Sequence, residues 1–155
     1  MPEIAVSAEQ AVAAPVEQVY SYIADYRNHH PHFLPGAFSD FQVEEGGEGA
    51  GTVVSYRLKA GGRTQSYRAR IAEPAPGHTL EEHLADGKTV TTYTVSRDPT
   101  GSLVRIETRW PSAGGPRGWI ERTLAPRMLT PLFEEELRLL DRYARAQPQE
   151  VQTSD

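Results

Sequence analysis

The sequence predicts an α+β fold in which a curved antiparallel sheet of about seven strands wraps around one long C-terminal helix, with two short helices after the first strand. Three observations predict it. Between residues 38 and 110 apolar residues alternate with a period of two, and Gly, Pro and Asp-Gly turn chemistry divides the run into strands. From about residue 118 to 146 the apolar spacing changes to that of a helix. The chain has 155 residues, 38% of them hydrophobic, which fits a single domain over residues 1–146 followed by a polar, aperiodic tail over 147–155.

In chain order, residues 4–12 suit a first strand, with Ile4, Val6 and Ala8 on one face. Val16, Val19, Tyr20 and Ile23 then fall on one helical stripe, and Pro15 fits the first helical position, where its missing N–H costs nothing. A short second helical turn is expected around Asn28–Leu34, closed by Pro35-Gly36. The strands follow as Phe38–Glu45, Thr52–Lys59, Arg63–Glu73, Thr79–Leu84, Thr89–Val95 and Leu103–Trp110. Asp86-Gly87 is a strong hairpin signal, because both residues tolerate positive φ. In the last segment Ile120, Leu124, Met128 and Leu132 recur every four residues, and Phe133, Leu137, Leu140 and Ala144 continue the stripe. Pro126 and Pro131 interrupt the backbone bonding there, so a kinked helix or two helical segments are expected.

Composition removes several classes of function. With no cysteine there is no disulfide, thiolate nucleophile or Cys-ligated metal. A formal charge of -5 provides no overall attraction to nucleic acid. No stretch approaches the roughly 20 apolar residues of a membrane span, and Met1-Pro2-Glu3-Ile4 shows neither the basic nor the apolar region of a secretion signal. The expected location is cytoplasmic, as a monomer or homodimer. No motif calls for a cofactor, and neither a Gly-x-Ser-x-Gly elbow nor a His-Glu-x-x-His pair is present.

The segment Ala13-Ala14-Pro15-Val16-Glu17-Gln18-Val19-Tyr20, followed by Ile23-Ala24-Asp25-Tyr26, resembles the opening helix of the polyketide cyclase/dehydrase and lipid-transport family, within the START-like (Bet v 1-like) helix-grip superfamily. The likeness continues through the glycine-rich residues 46–51 and through Arg70-Ile71-Ala72-Glu73-Pro74-Ala75-Pro76-Gly77-His78-Thr79-Leu80. It implies a helix-grip fold with a cavity between sheet and helix that takes a small hydrophobic or aromatic, polyketide- or lipid-like molecule. Two alternatives accompany this. One is a polyketide cyclase/dehydratase acting by general acid/base chemistry in that cavity. The other is a co-chaperone-like protein-interaction module. Fold analogy alone does not choose among them.

Candidate residues follow from which side chains should point inward. Glu82 lies between Leu80 and Leu84 in alternation, so if the leucines face the core the carboxyl does too. A buried carboxyl has a raised pKa and can serve as general acid or base near neutral pH, unless an arginine holds it charged. The opposite register would turn Glu81 and His83 inward instead. Tyr56, Tyr67, Tyr93 and Trp110, with Thr91 beside Tyr93, are candidate ligand contacts; tyrosines simply satisfied within a core are the competing reading. Trp119, Ile120, Leu124 and Met128 are expected to form the helical wall of the pocket, with a plain core stripe as the competing reading. His29, His30 and His32 with Asp25 invite a metal, but Pro31 restricts their backbone and neighbouring histidines point apart. The expectation is a solvated turn near the pocket mouth, from which one of the three histidines could reach the ligand, and no metal site. Gly46–Gly51 is read as a flexible hairpin at the cavity rim, since no Gly-Lys-Ser/Thr follows to make a phosphate loop.

Overall fold

The structure, a computed structural model, describes residues 3–147. Seven strands form one antiparallel sheet: β1 (Glu3–Val12), β2 (Phe38–Glu45), β3 (Val53–Ala60), β4 (Arg63–Ala75), β5 (Thr79–Leu84), β6 (Val90–Asp98) and β7 (Gly101–Pro111). Their order across the sheet is β1-β7-β6-β5-β4-β3-β2, so β2 to β7 form a continuous meander and β1 closes on β7. Helix α1 (Val16–Ala24) and a 3₁₀ turn (His30–Phe33) follow β1, and α2 (Gly115–Ala146) ends the chain. The expected tail lies outside the described residues beyond Gln147.

Helix α2 runs as one helical stretch of 32 residues with both Pro126 and Pro131 inside it, rather than as two segments. Each proline lacks the N–H that would bond the carbonyl four residues earlier. Pro15 stands just before α1 on extended backbone, not at its first helical position. In the C-terminal half of α2, Phe133, Leu137, Leu140 and Ala144 are buried. This half packs against β1 and the 3₁₀ turn. Full burial of a leucine such as Leu137 contributes roughly 1.5–3 kcal/mol. Further towards its N-terminus, the Met128 methyl lies over Gly61, where a Cβ would come within 2.7 Å of it. One helix thus touches β1 at one edge of the sheet and the β3–β4 turn near the other. The sheet must curl around it, and bulges in β2 and β4 assist that bend.

The glycine-rich loop does not stand at the cavity rim. It is tied to the end of α1 by Tyr26 N–H donating to the Gly47 carbonyl (2.8 Å) and Gly49 N–H donating to the Ala24 carbonyl (2.9 Å). Gly46, Gly47, Gly49 and Gly51 all have positive φ, and a Cβ on Gly47 would run into the Arg27 side chain. Glycine is needed here for close backbone approach, not for mobility. The same region explains part of the 70–80 motif. Glu73 accepts from Tyr20 Oη (2.6 Å) and from Ala50 N–H (2.7 Å), joining α1, the loop and β4.

Candidate active site

Between the concave face of the sheet and α2 lies a cavity of about 400 Å³. Strand alternation selects its sheet wall: Val54, Tyr56 and Leu58 from β3, Tyr67 from β4, Glu82 from β5, Thr91 and Tyr93 from β6, and Thr108 and Trp110 from β7. The register places these side chains in rows across the sheet. Glu82 opposes Thr91 and Thr91 opposes Thr108, giving a polar row whose two threonine hydroxyls bond at 2.7 Å. One step along, Leu80, Tyr93 and Ile106 form a mainly apolar row. Tyr56 faces Tyr67 in the β3–β4 pair with stacked rings 5.7 Å apart. The helix wall consists of Leu129, Leu132, Phe133 and Glu136, and the 3₁₀ turn supplies His30.

Two buried carboxyls therefore face one cavity from opposite walls, each with a tyrosine partner, while a third, Asp86, lines it from an exposed turn. Tyr26 Oη donates to Glu82 at 2.6 Å, and Tyr93 Oη donates to Glu136 at 2.6 Å. Burial pushes Glu82 up to about 7, against the opposing pull of the Tyr26 bond. Burial pushes Glu136 up to about 8; its bond from Tyr93 lowers it and the charge of Glu82 raises it. Both tyrosines are themselves raised well above their ordinary value, first by desolvation, so they remain protonated donors. Among the described residues lining the cavity none is Lys or Arg, so no cation holds either carboxyl ionised.

His30 is 1% exposed and stacks on Tyr26 with centroids 4.3 Å apart. Its Nδ1 lies 2.7 Å from the Ile23 carbonyl oxygen, an acceptor only, so Nδ1 carries the proton and Nε2 the lone pair. Desolvation pushes its pKa down to about 4, partly opposed by that bond, and the ring is neutral at pH 7. Of the turn expected to be solvated, His30 is instead part of the core, while His29 is half-buried and His32 exposed. His29 Nδ1 pairs with the Tyr143 hydroxyl at 2.6 Å, and His32 stacks on the Tyr143 ring. The three rings thus serve separate packing tasks. Among the described residues no group of three His, Cys, Asp or Glu side chains is arranged to hold a metal ion.

The structure brings Glu82, Tyr56, Tyr67, Thr91, Tyr93 and Trp110 together around the cavity, while Glu81 and His83 pair on the other face of β5 at 3.0 Å. It does not place Trp119, Ile120, Leu124 or Met128 on the cavity wall; all four are large hydrophobic side chains exposed to solvent, and none packs in a buried stripe. For Ile120, Leu124 and Met128 the reason is helical arithmetic. A spacing of four residues advances about 400°, so the stripe rotates about 40° per step and leaves the buried face within three steps. The wall follows mixed spacings of three and four, through Leu129, Leu132, Phe133 and Glu136. Glu136 was legible as a carboxyl inside that face, three residues after Phe133 and four before Leu140. For His30 the sequence offers the cluster at the pocket mouth, without saying which of the three rings turns inward, and the spacing of four from Tyr26.

The family described as polyketide cyclase / dehydrase and lipid transport matches residues 3–145. The chain belongs to this family. Among solved structures, the KanY protein shares 32% identity at a TM-score of 0.81, with 94% of this chain and 99% of that one covered. TTHA0849 from Thermus thermophilus shares 18% identity at a TM-score of 0.73, covering 94% and 98%. The di-domain ARO/CYC protein StfQ of the steffimycin biosynthetic pathway shares 14% at a TM-score of 0.73, covering 92% of this chain and 51% of StfQ. The last two likenesses concern the fold alone. No curated protein sequence matches the chain. The family's helix-grip fold is the one described above, and ligand binding or cyclase chemistry is the family's general function.

Proposed function

We propose that the chain binds a small hydrophobic or aromatic molecule, polyketide- or lipid-like, in the cavity between the sheet and α2. The cavity itself carries this reading: about 400 Å³, within the size range of small-molecule sites, walled by aromatic and aliphatic side chains with a few converging polar groups. Tyr56, Tyr67, Tyr93 and Trp110 supply ring faces, and Thr91, Glu82 and Glu136 orient a polar substituent. Titration calorimetry with a panel of polyphenols, quinones and fatty acids tests it. Saturable binding that Leu132→Trp weakens is expected; an affinity unchanged by filling the cavity would refute it.

One observation favours a second reading, a polyketide cyclase or dehydratase. Glu82 and Glu136 are buried carboxyls with pKa values near neutrality, so one can be ionised while the other keeps its proton. The ionised carboxylate would take a proton from the carbon next to a ketone. The enolate so formed would attack a second carbonyl, whose oxygen receives the proton of the other carboxyl, closing a C–C bond. The two carboxyls, their protonation states now exchanged, would then take a second proton from the carbon between the ketone and the new hydroxyl and protonate the departing hydroxyl, which leaves as water. The cavity contributes by holding a flexible chain in a reactive fold. Glu82→Gln and Glu136→Gln would then abolish turnover and spare affinity, whereas a pure carrier shows no turnover with any such substrate.

A further inference from the structure

The cavity residues leave a second feature of the molecule unexplained. The N-terminal half of α2 exposes Trp119, Ile120, Leu124 and Met128, the large hydrophobic side chains most open to solvent among the described residues. Arg117, Arg122 and Arg127, all exposed, are interleaved with them. The neighbouring β3–β4 turn, which Met128 touches at Gly61, adds exposed Lys59 and Arg63. Against these five cations the two segments carry a single carboxylate, Glu121, whose side chain accepts from the Trp110 indole. Nearby Arg57 has its own partner in Asp40 at 3.9 Å. The whole chain, by contrast, carries a formal charge of -5. Positive charge and exposed apolar area are therefore concentrated at one end of an acidic protein.

That end is also one end of the cavity. Leu58 and Gln65 line the cavity three residues from the Gly61-Gly62 turn, and Leu129 and Leu132 line it within about one turn of Met128. A partner helix would need a contiguous seam. Ile120, Leu124 and Met128 instead wind around α2 by about 40° per step, with arginines between them. Dispersed apolar side chains with cationic neighbours suit the headgroup region of a bilayer, where aliphatic groups enter and arginines remain with phosphates. No helix among the described residues is long and apolar enough to cross a membrane, so the contact would be interfacial.

We propose that this end of the molecule docks on an anionic lipid surface through Trp119, Ile120, Leu124 and Met128, with Lys59, Arg63, Arg117, Arg122 and Arg127 meeting the headgroups. Docked in this way, the cavity faces the phase in which an apolar ligand is dissolved, and loading avoids passage through water; this consequence rests on the ligand-binding reading above. The test is sedimentation of the full chain with vesicles of phosphatidylcholine alone and with about one third phosphatidylglycerol. Binding to the anionic vesicles that weakens with salt is expected. Removing a cation near such a surface costs about fivefold in partition coefficient, so Arg122→Ala with Arg127→Ala should lower it by about 25-fold. Arg142→Ala, an exposed arginine on the other half of α2, should leave it unchanged. Trp119 emission should shift to the blue on anionic vesicles, and Trp119→Phe should abolish the shift. Leu132→Trp separates the two readings, because filling the cavity must leave vesicle binding intact. Absence of binding, equal binding to both vesicle types, or a solution dimer that Leu124→Asp dissociates would overturn the proposal; the last would assign the stripe to a second copy of the chain.

Discussion

Glu82→Gln should make the protein more stable at alkaline pH, although it replaces a buried, hydrogen-bonded side chain. Glu82 ordinarily titrates at 4.5 and is pushed up to about 7 by burial. Between these values the folded chain holds a proton that the unfolded chain has lost, so stability falls as pH rises. The stabilising contribution of the protonated form is complete below about 4.5 and is lost as pH rises through 7. For a shift of this size the linkage integral grows by about 2.5 kcal/mol between pH 5 and pH 8. A glutamine of similar shape has no proton to lose. It can keep a bond with the Tyr26 hydroxyl, a bond worth about 1 kcal/mol if lost. Water entering the cavity reduces the charge penalty, so the stability of the variant relative to the parent should rise by about 2 kcal/mol over this interval. Glu136→Gln should act in the same direction, and Glu82→Gln, by removing the charge that helps to raise it, should also bring the Glu136 pKa down. Urea unfolding at half-unit steps from pH 5 to 9 measures this directly. A stability difference independent of pH, or one that favours the parent as pH rises, would refute the assignment of Glu82 as a buried carboxyl without a cationic partner.

Other consequences can be checked separately. Tyr93→Phe removes the hydroxyl that donates to Glu136, so the Glu136 midpoint should move upward from about 8 in a carbon-13 NMR titration. Leu132→Trp should lower affinity for any cavity ligand by at least about tenfold, read by calorimetry, with the melting temperature changed by only a few degrees. Gly101 has a φ of +134°, and a Cβ there would lie 2.6 Å from the Ala14 carbonyl oxygen. Gly101→Ala should therefore cost about 2 kcal/mol or more in urea unfolding, because the contact is with backbone that cannot rotate away.

Much of this architecture is written in short-range pattern. Period-two alternation and the Asp86-Gly87 turn mark the strands, and once a strand pairs in register its inward set follows together, which is how Glu82, Thr91 and Tyr93 come to share a cavity. Alternation alone left the face of β5 open between Glu82 and the Glu81/His83 pair; pairing Leu80 with Tyr93 settled it. Side chains on helices and turns were harder to place. The repeat of four from Ile120 to Leu132 resembles a buried stripe, yet helical rotation carries its first three members into solvent. His30 in a polar-looking His-His-Pro-His run is buried because Tyr26, Phe33 and Tyr93 close around it, and those contacts depend on tertiary packing. The position of Glu136 on the buried stripe is visible in the spacing, but the bond that satisfies it there is not, because its partner Tyr93 lies 43 residues away in sequence.

The most direct test of the cavity as the working site is native mass spectrometry of the protein purified from its own host, before and after organic extraction, with Leu132→Trp in parallel. A stoichiometric bound mass of apolar or aromatic character, extractable from the parent and missing from the variant, is the predicted result. A parent that carries no added mass and gives no thermal shift with polyphenols, lipids or quinones would contradict it, as would a bound mass that survives filling of the cavity.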